Sequence, residues 1–157
     1  MTLLTGCKVA AIGAMRERPL ARYFASLGAG LVPIEADEAG MAIATTCDIL
    51  IDGEGLDQLA ARGWQADRLS ESLIHVSVST FGSGGPRALW KGGELIASAA
   101  GGTLRLTGQP DRAPVKEALD ACTFHADMAG APKRPVMRLW KHQPSASRQM
   151  HLTVAMP

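Results

Sequence analysis

Four short apolar runs along the chain predict the buried strands of a sheet. They cover residues 8–13, 30–35, 47–52 and 73–78. The runs are rich in small or β-branched side chains and are bounded by glycine, proline or polar residues, which is typical of strands. The last run stops at a Gly-Ser-Gly-Gly-Pro breaker, as a buried strand does where it enters an exposed loop. The pattern therefore predicts a sheet protein, and the segments between the runs decide its class.

Segments with helical spacing lie between these runs. Pro19 suits the first turn of a helix, and Gly28 suits its C-terminal cap. The apolar positions between them are Leu20, Tyr23, Phe24 and Leu27. Residues 8–35 therefore predict one βαβ unit, whose crossover is almost always right-handed. Helices are also predicted over 57–72 and within 91–102, so the fold class is α/β.

Composition and charge exclude several classes of partner. The chain has 157 residues, of which 46% are hydrophobic and 20% charged, so it can bury one core of ordinary size. A formal net charge of +1 with interleaved signs argues against nucleic acid or an anionic membrane as a partner. Because no segment resembles a membrane span or a targeting signal, we expect a soluble, cytoplasmic protein.

Three cysteines, Cys7, Cys47 and Cys122, stand far apart in the sequence. They form no Cys-x-x-Cys pair and have no histidine at metal-ligand spacing. We therefore expect neither a disulfide framework nor a metal site, which agrees with a reducing cytoplasm.

Two features carry candidate chemistry. Asp127, within the stretch 125–130, either caps the exposed start of a helix or acts as a reactive carboxylate. The glycine-rich loop 82–85 either binds phosphate or an oxyanion through its N–H groups or forms a turn that needs positive φ. His75 alternates with apolar strand residues and is predicted to be structural. His125 is predicted to pack or to face solvent, although an imidazole there would also suit proton transfer.

Several basic side chains accompany these features. Lys91 and Lys116 lie beside the loops and either contact phosphate groups or remain solvated. Arg16, Arg18 and Arg22 form a basic face on the first predicted helix. We expect that face to be solvated, and contact with phosphate groups is the alternative.

Four motifs between residues 73 and 130 follow each other in an order that is typical of one enzyme family. They are Phe81-Gly82-Ser83-Gly84-Gly85-Pro86, Gly93-Glu94-Leu95, Leu106-Thr107-Gly108-Gln109-Pro110-Asp111 and Ala126-Asp127-Met128-Ala129-Gly130. With them, residues 73–130 resemble the family III CoA transferases, which include formyl-CoA and carnitine-CoA transferases and the related α-methylacyl-CoA racemases. Earlier in the chain, Leu27-Gly28-Ala29 and Ile34-Glu35 are similar to the family's opening.

The resemblance implies a Rossmann-like α/β fold with a mostly parallel sheet and flanking helices, incomplete relative to the family. Residues 1–130 correspond to the N-terminal part of the CoA-transferase domain. Residues 131–157 are expected to be an altered continuation toward a second domain, because prolines interrupt a segment that the family forms as a long helix. Residues 148–155 still resemble a strand. Since family members are much longer and form interlocked homodimers, we expect this chain to be a fragment of such a dimer.

In the family, the aspartate at the position of Asp127 is a nucleophile. The resemblance therefore implies that Asp127 attacks an acyl-CoA thioester to form a mixed anhydride, and that the freed CoA thiolate then forms an aspartyl thioester. The implied activity moves CoA between an acyl-CoA and a carboxylic acid, with coenzyme A as a substrate and no metal. The predicted CoA contacts are Gly82, Gly84, Gly85, Lys91 and Lys116.

Departures from the family pattern leave alternatives open. The racemases carry a proton-transferring histidine where this chain has Gly93, so racemisation is disfavoured. A basic turn that touches CoA in the family is replaced here by residues 53–55, Gly-Glu-Gly, so we expect weak CoA binding. The chain is then a transferase, or else a non-catalytic or truncated remnant of that family. We expect the 157 residues alone to be inactive and to self-associate.

Overall fold

The computed structural model describes residues 3–65, 68–70, 72–82, 85–117, 119–131 and 149–153. A five-stranded parallel sheet lies at their centre, with the strand order β2-β1-β3-β4-β5. The strands are β1 (Lys8–Ile12), β2 (Gly30–Ile34), β3 (Ile49–Asp52), β4 (Ile74–Ser79) and β5 (Gln149–Thr153). The four apolar runs thus form strands, the strand-like segment 148–155 is confirmed as a strand over 149–153, and the Rossmann-like α/β class is confirmed with them.

Six α-helices flank the sheet in the described residues. They are α1 (Pro19–Ser26), α2 (Glu38–Ala44), α3 (Leu56–Ala61), α4 (Glu94–Ala100), α5 (Thr103–Leu106) and α6 (Ala121–Gly130). A 3₁₀ helix, Gly13–Glu17, joins β1 to α1. The helix predicted over 57–72 is wrong beyond Ala61, because Gly63 adopts a φ of +86° that ends the helix and turns Trp64 into the core.

Both faces of the sheet are covered along β1, β3 and β4, which explains why β1 and β3 are nearly continuous apolar runs. On one face, the alternate residues of β1, β3 and β4 pack against α1 and α6 through Leu20, Phe24 and Ala126. On the other face, the intervening residues pack against Met41 of α2 and Leu59 of α3. Among the described residues, no helix has both the length and the apolar character that crossing a membrane requires.

The strand order reverses at β1, because β2 lies on one side of this strand and all later strands lie on the other. The strand pairs with β2 on one side and with β3 on the other, so the connections that follow β1 and β2 run over opposite faces. The loops after β1 and β3 consequently diverge beyond the carboxyl ends of these strands. In open α/β sheets such a crevice is the usual place for a ligand. It lies here between the 3₁₀ helix Gly13–Glu17 and the turn that follows Asp52.

Candidate active site

Asp127 lies within α6 and is completely buried, with an exposed fraction of 0%. Its neighbour Ala126 belongs to the core between α1 and the sheet, and the same turn of helix carries both residues inward. The alternative that Asp127 is an exposed carboxylate at a helix start is therefore wrong. A carboxylate at this depth requires several hydrogen-bond donors, because an unpaired buried charge is very unfavourable.

Arg18 and the first turn of α1 supply these donors. The Arg18 guanidinium binds the carboxylate with two hydrogen bonds, from Nη2 to Oδ1 and from Nε to Oδ2, the latter at 3.1 Å. The Leu20 N–H, which has no partner inside its helix, also donates to Oδ2 at 3.3 Å. Because the Arg18 side chain is 21% exposed, the prediction that it lies on a solvated basic face is wrong.

Glu94 fixes the other end of α6. Asp120, directly before the helix, forms no side-chain capping bond there. Glu94, the first residue of α4, accepts hydrogen bonds from the Cys122 N–H at 2.8 Å, the Thr123 N–H at 2.9 Å and the Thr123 hydroxyl at 2.7 Å. Burial opposes the ionisation of Glu94, yet these bonds from Thr123 and Cys122 together lower its pKa below the usual 4.5. The charged Glu94 therefore holds the helix that carries Asp127.

The lowered pKa of Glu94 predicts a pH-dependent contribution to stability. A carboxylate whose pKa falls on folding stabilises the protein above its unfolded pKa, and this contribution disappears as the pH drops through the folded value. The variant Glu94→Gln should lose about 1 kcal/mol of unfolding free energy at pH 7, and its difference from wild type should narrow below about pH 4. Urea denaturation at several pH values measures this difference in unfolding free energy. The matched control Glu17→Gln, at an exposed site, should show no such convergence.

A second buried carboxylate, Asp52, shapes the turn after β3. Its Oδ1 accepts hydrogen bonds from the N–H groups of Glu54 at 3.0 Å and Gly55 at 2.8 Å, and from the Ser77 hydroxyl at 3.2 Å. Its Oδ2 accepts from His75 Nε2 at 2.6 Å. His75 is buried on β4, so its hydrogen bond to Asp52 links two adjacent strands. The turn 53–55 is thereby held in one conformation.

A cavity of about 250 Å³ opens beyond the carboxyl ends of β3 and β4. Its wall combines charged groups, hydroxyl groups and aromatic rings. The lining residues are Gly53, Glu54, Gln58, Arg62, Ser79, Thr80, Phe81, Ala88, Trp90, Lys91 and Gly92. The Trp90 ring lies edge-on to Phe81 with 5.8 Å between centroids, and Arg62 pairs with Glu54 at 3.1 Å. Such a wall can bind a ligand that is partly aromatic and partly anionic.

The predicted CoA contacts do not all come together. Lys91 lines the cavity and is exposed, whereas Lys116 lies outside the lining, where it forms a surface pair with Asp120 at 3.2 Å. Gly82 is buried with a φ of +75°, as a turn requires, and Gly85 is exposed with open space around it. Gly84 falls outside the described residues.

Sequence reasoning gave no role to Arg62 and Trp90, which line the cavity. Both lie outside the motifs of the family, and Arg62 directly follows α3. Residues 53–55 replace a turn that touches CoA in the family, and Glu54 of that turn does line the cavity. His125 is exposed on α6, with its ring 6.1 Å from that of Phe124, and is not part of the cavity lining.

The fold and the motifs together define a class of protein, a Rossmann-like α/β domain with an aspartate-bearing helix packed on its sheet. The sequence pattern of CoA-transferase family III matches residues 31–131. The chain belongs to CoA-transferase family III. The predicted family is thus confirmed.

Individual relatives agree with this family. Over 74 residues the chain is 34% identical to the succinate–glutarate CoA-transferase of Agrobacterium fabrum, which is 45% of this chain and 18% of that protein. A CaiB/BaiF family protein from Brucella suis has a similar structure, with a TM-score of 0.78 at 19% identity over 96% of this chain and 53% of that one. Rv3272 from Mycobacterium tuberculosis, in its orthorhombic form, gives a TM-score of 0.78 at 15% identity over 98% and 55%. The chain spans about half the length of these solved structures, and their likeness concerns the fold.

Proposed function

We propose that this chain provides the nucleophile-bearing part of a CoA transferase that moves CoA between an acyl-CoA and a carboxylic acid. The observation that supports the proposal is the placement of Asp127, in the family's Ala-Asp-x-x-Ala-Gly motif. The helix α6 holds this carboxylate beside Arg18, whose Nη1 approaches Gly53 in the wall of the cavity. Arg18 thus contacts both the proposed nucleophile and the wall of the cavity.

The chemistry divides a difficult exchange into easier steps. A carboxylate oxygen of Asp127 attacks the thioester carbonyl, the C–S bond breaks, and CoA departs as a thiolate from a mixed anhydride. The thiolate then attacks the side-chain carbonyl of Asp127, which releases the donor acid as a carboxylate and leaves an aspartyl thioester. An acceptor carboxylate reverses these steps, and each step passes one negative charge between carboxylate and thiolate without a proton.

Asp127 is shielded in the structure. Donors occupy both of its oxygens, and its exposed fraction is 0%. A thioester carbonyl therefore reaches the carboxylate only when the Arg18 side chain moves aside. That side chain is partly exposed and lies between a 3₁₀ helix and α1, where the backbone is extended. The movement then needs a change of side-chain rotamer rather than the unfolding of α1.

The cavity is proposed to bind part of the CoA molecule. The exposed faces of Trp90 and Phe81 suit an adenine ring or the pantetheine arm, and Lys91 suits a phosphate group. Glu54 lines the same wall and repels a phosphate, although Arg62 partly offsets its charge. We therefore expect weak CoA binding, with the phosphates on the Lys91 side.

Replacement of Lys91 tests the cavity. We expect Lys91→Gln to raise the Kd for CoA about tenfold, because one charge-assisted hydrogen bond contributes about 1.5 kcal/mol. Isothermal titration calorimetry with CoA measures it. The matched control is Lys8→Gln. Lys8 lies at the amino end of β1, whereas the cavity lies beyond the carboxyl ends of the strands. A Kd that changes equally in both variants would place CoA elsewhere, and Lys116→Gln tests the other predicted lysine.

Covalent capture tests the transfer itself. In a preparation that exchanges CoA, succinyl-CoA should add mass to the peptide that contains Asp127, and hydroxylamine should convert that adduct to a hydroxamate. Mass spectrometry reads both results. An unmodified Asp127 peptide in a preparation that exchanges CoA would contradict the proposed nucleophile. The same preparation in deuterated water tests the racemase alternative through exchange of the substrate's α-proton.

A further inference from the structure

Arg18 is already a carboxylate receptor in the structure. Its guanidinium holds a carboxylate with two parallel hydrogen bonds, and the occupant in the resting chain is Asp127. This two-pronged geometry matches any carboxylate, because a guanidinium presents its donors in a rigid plane. This ion pair is largely shielded from solvent, since the Arg18 side chain is 21% exposed and that of Asp127 is 0% exposed.

The proposed reaction removes the charge of the occupant. Once Asp127 carries an acyl group or a CoA thioester, its side chain has no negative charge. Arg18 then retains a positive charge in a largely buried place without the anion that balanced it. Leaving one member of a buried pair uncompensated is strongly unfavourable. The intermediate therefore favours another anion at Arg18.

Arg18 lies directly behind one wall of the cavity. Gly53 lies in the cavity wall, and a methyl group at this residue would stand only 3.1 Å from Arg18 Nη1 and 3.0 Å from the sulfur of Met15. The guanidinium and the wall are thus in close contact. A side chain at residue 53 would crowd the Arg18 guanidinium, so glycine at this position allows the observed contact.

We propose that Arg18 is the carboxylate-binding residue of the transfer step, which rests on the proposed function. It releases Asp127 when that residue becomes a thioester and then holds the carboxylate of the acceptor acid beside the Asp127 carbonyl carbon. An oxygen of the acceptor attacks that carbon, the C–S bond breaks, and CoA leaves as a thiolate. The negative charge passes from acceptor to thiolate, and no proton, oxidant or further reactant is needed.

The neutral variant Asp127→Asn tests whether Arg18 binds a free carboxylate, and the test needs no catalytic turnover. Asparagine has nearly the size of aspartate and no charge, so it imitates the charge state of the intermediate. Titration with ¹³C-labelled acetate, followed by NMR, should show binding to Asp127→Asn about tenfold tighter than to wild type, in which Asp127 occupies Arg18. The double variant Arg18→Gln/Asp127→Asn should lose that gain, and acetamide should bind none of the three proteins better. Equal acetate affinity in all three would overturn the proposal.

Folding gives a second reading of the same experiment. If Asp127→Asn unfolds because Arg18 is unpaired, acetate should restore its folded circular dichroism spectrum, while sodium chloride of the same ionic strength should not. Failure of acetate to restore the fold would contradict the proposal, as would equal rescue by chloride.

Kinetics connect Arg18 to the acceptor. In a preparation that exchanges CoA, Arg18→Lys keeps the charge but loses the planar fork. We expect it to raise the KM for the acceptor acid at least about tenfold and the KM for acyl-CoA less than about twofold. Equal rises in both constants would overturn the role of Arg18. By contrast, the absence of an Asp127 adduct in a wild-type preparation that exchanges CoA would contradict the proposed function, whatever the acetate titration shows.

Discussion

In a preparation that exchanges CoA, replacement of Asp127 with asparagine should reduce the exchange at least about a thousandfold, because the proposal makes Asp127 a covalent nucleophile and the loss of such a nucleophile costs several orders of magnitude in rate. The amide is a poor nucleophile, and it cannot form the anhydride that the proposed transfer requires. CoA affinity should change little, since Asp127 is not among the residues that line the cavity. Exchange of label between succinyl-CoA and ¹³C-succinate measures the rate, and calorimetry measures the affinity.

The control for this prediction is Asp120→Asn. Asp120 directly precedes the same helix, but it is exposed and pairs with Lys116 at the surface. We expect its replacement to leave the exchange rate within about twofold of wild type, because exposed ion pairs contribute little. Residual exchange above about one percent in Asp127→Asn would contradict the assignment of the nucleophile. The folded fraction of each variant, measured by circular dichroism, separates lost chemistry from lost structure.

Replacement of Asp52 with alanine should cost about 3–5 kcal/mol of unfolding free energy. The change leaves His75 Nε2 and the N–H groups of Glu54 and Gly55 without their acceptor, in a region where Asp52 is fully buried. Against a typical total of about 5–15 kcal/mol, this is a large share. Because the turn 53–55 depends on the same bonds, the proposed binding of CoA in the cavity should weaken as well. Urea denaturation at pH 7 measures the stability.

Asp37→Ala provides the comparison for Asp52. Asp37 caps α2 by accepting one hydrogen bond from the Gly40 N–H at 2.7 Å, at a partly exposed position. The loss of such a cap costs about 1 kcal/mol. A cost for Asp52→Ala no greater than that for Asp37→Ala would show that the network around Asp52 contributes little to stability.

Local patterns in the sequence were sufficient to predict the class of fold. Each apolar run formed a parallel strand, since the residues of a strand that is covered on both faces are buried and mostly apolar. Pro19 and Gly28 bounded α1 as predicted, because one suits a helix start and the other adopts a φ of +88°. The prediction of a helix over 57–72 was wrong at Gly63. The apolar periodicity of the sequence continues past this residue, but its positive φ ends the helix.

The tertiary structure decided which polar groups meet. Arg18 and Asp127 are 109 residues apart, and Glu94 is 28 residues before the N–H group of Cys122 that it binds. Hydrophobic periodicity reports which face of a helix is buried, but not which charged side chain stands opposite another. That depends on the strand order, on the packing of α6 against α1, and on the free energy that drives a buried charge to find a partner. The motif alone could therefore indicate that Asp127 is reactive, while the burial of its carboxylate beneath Arg18 required the fold.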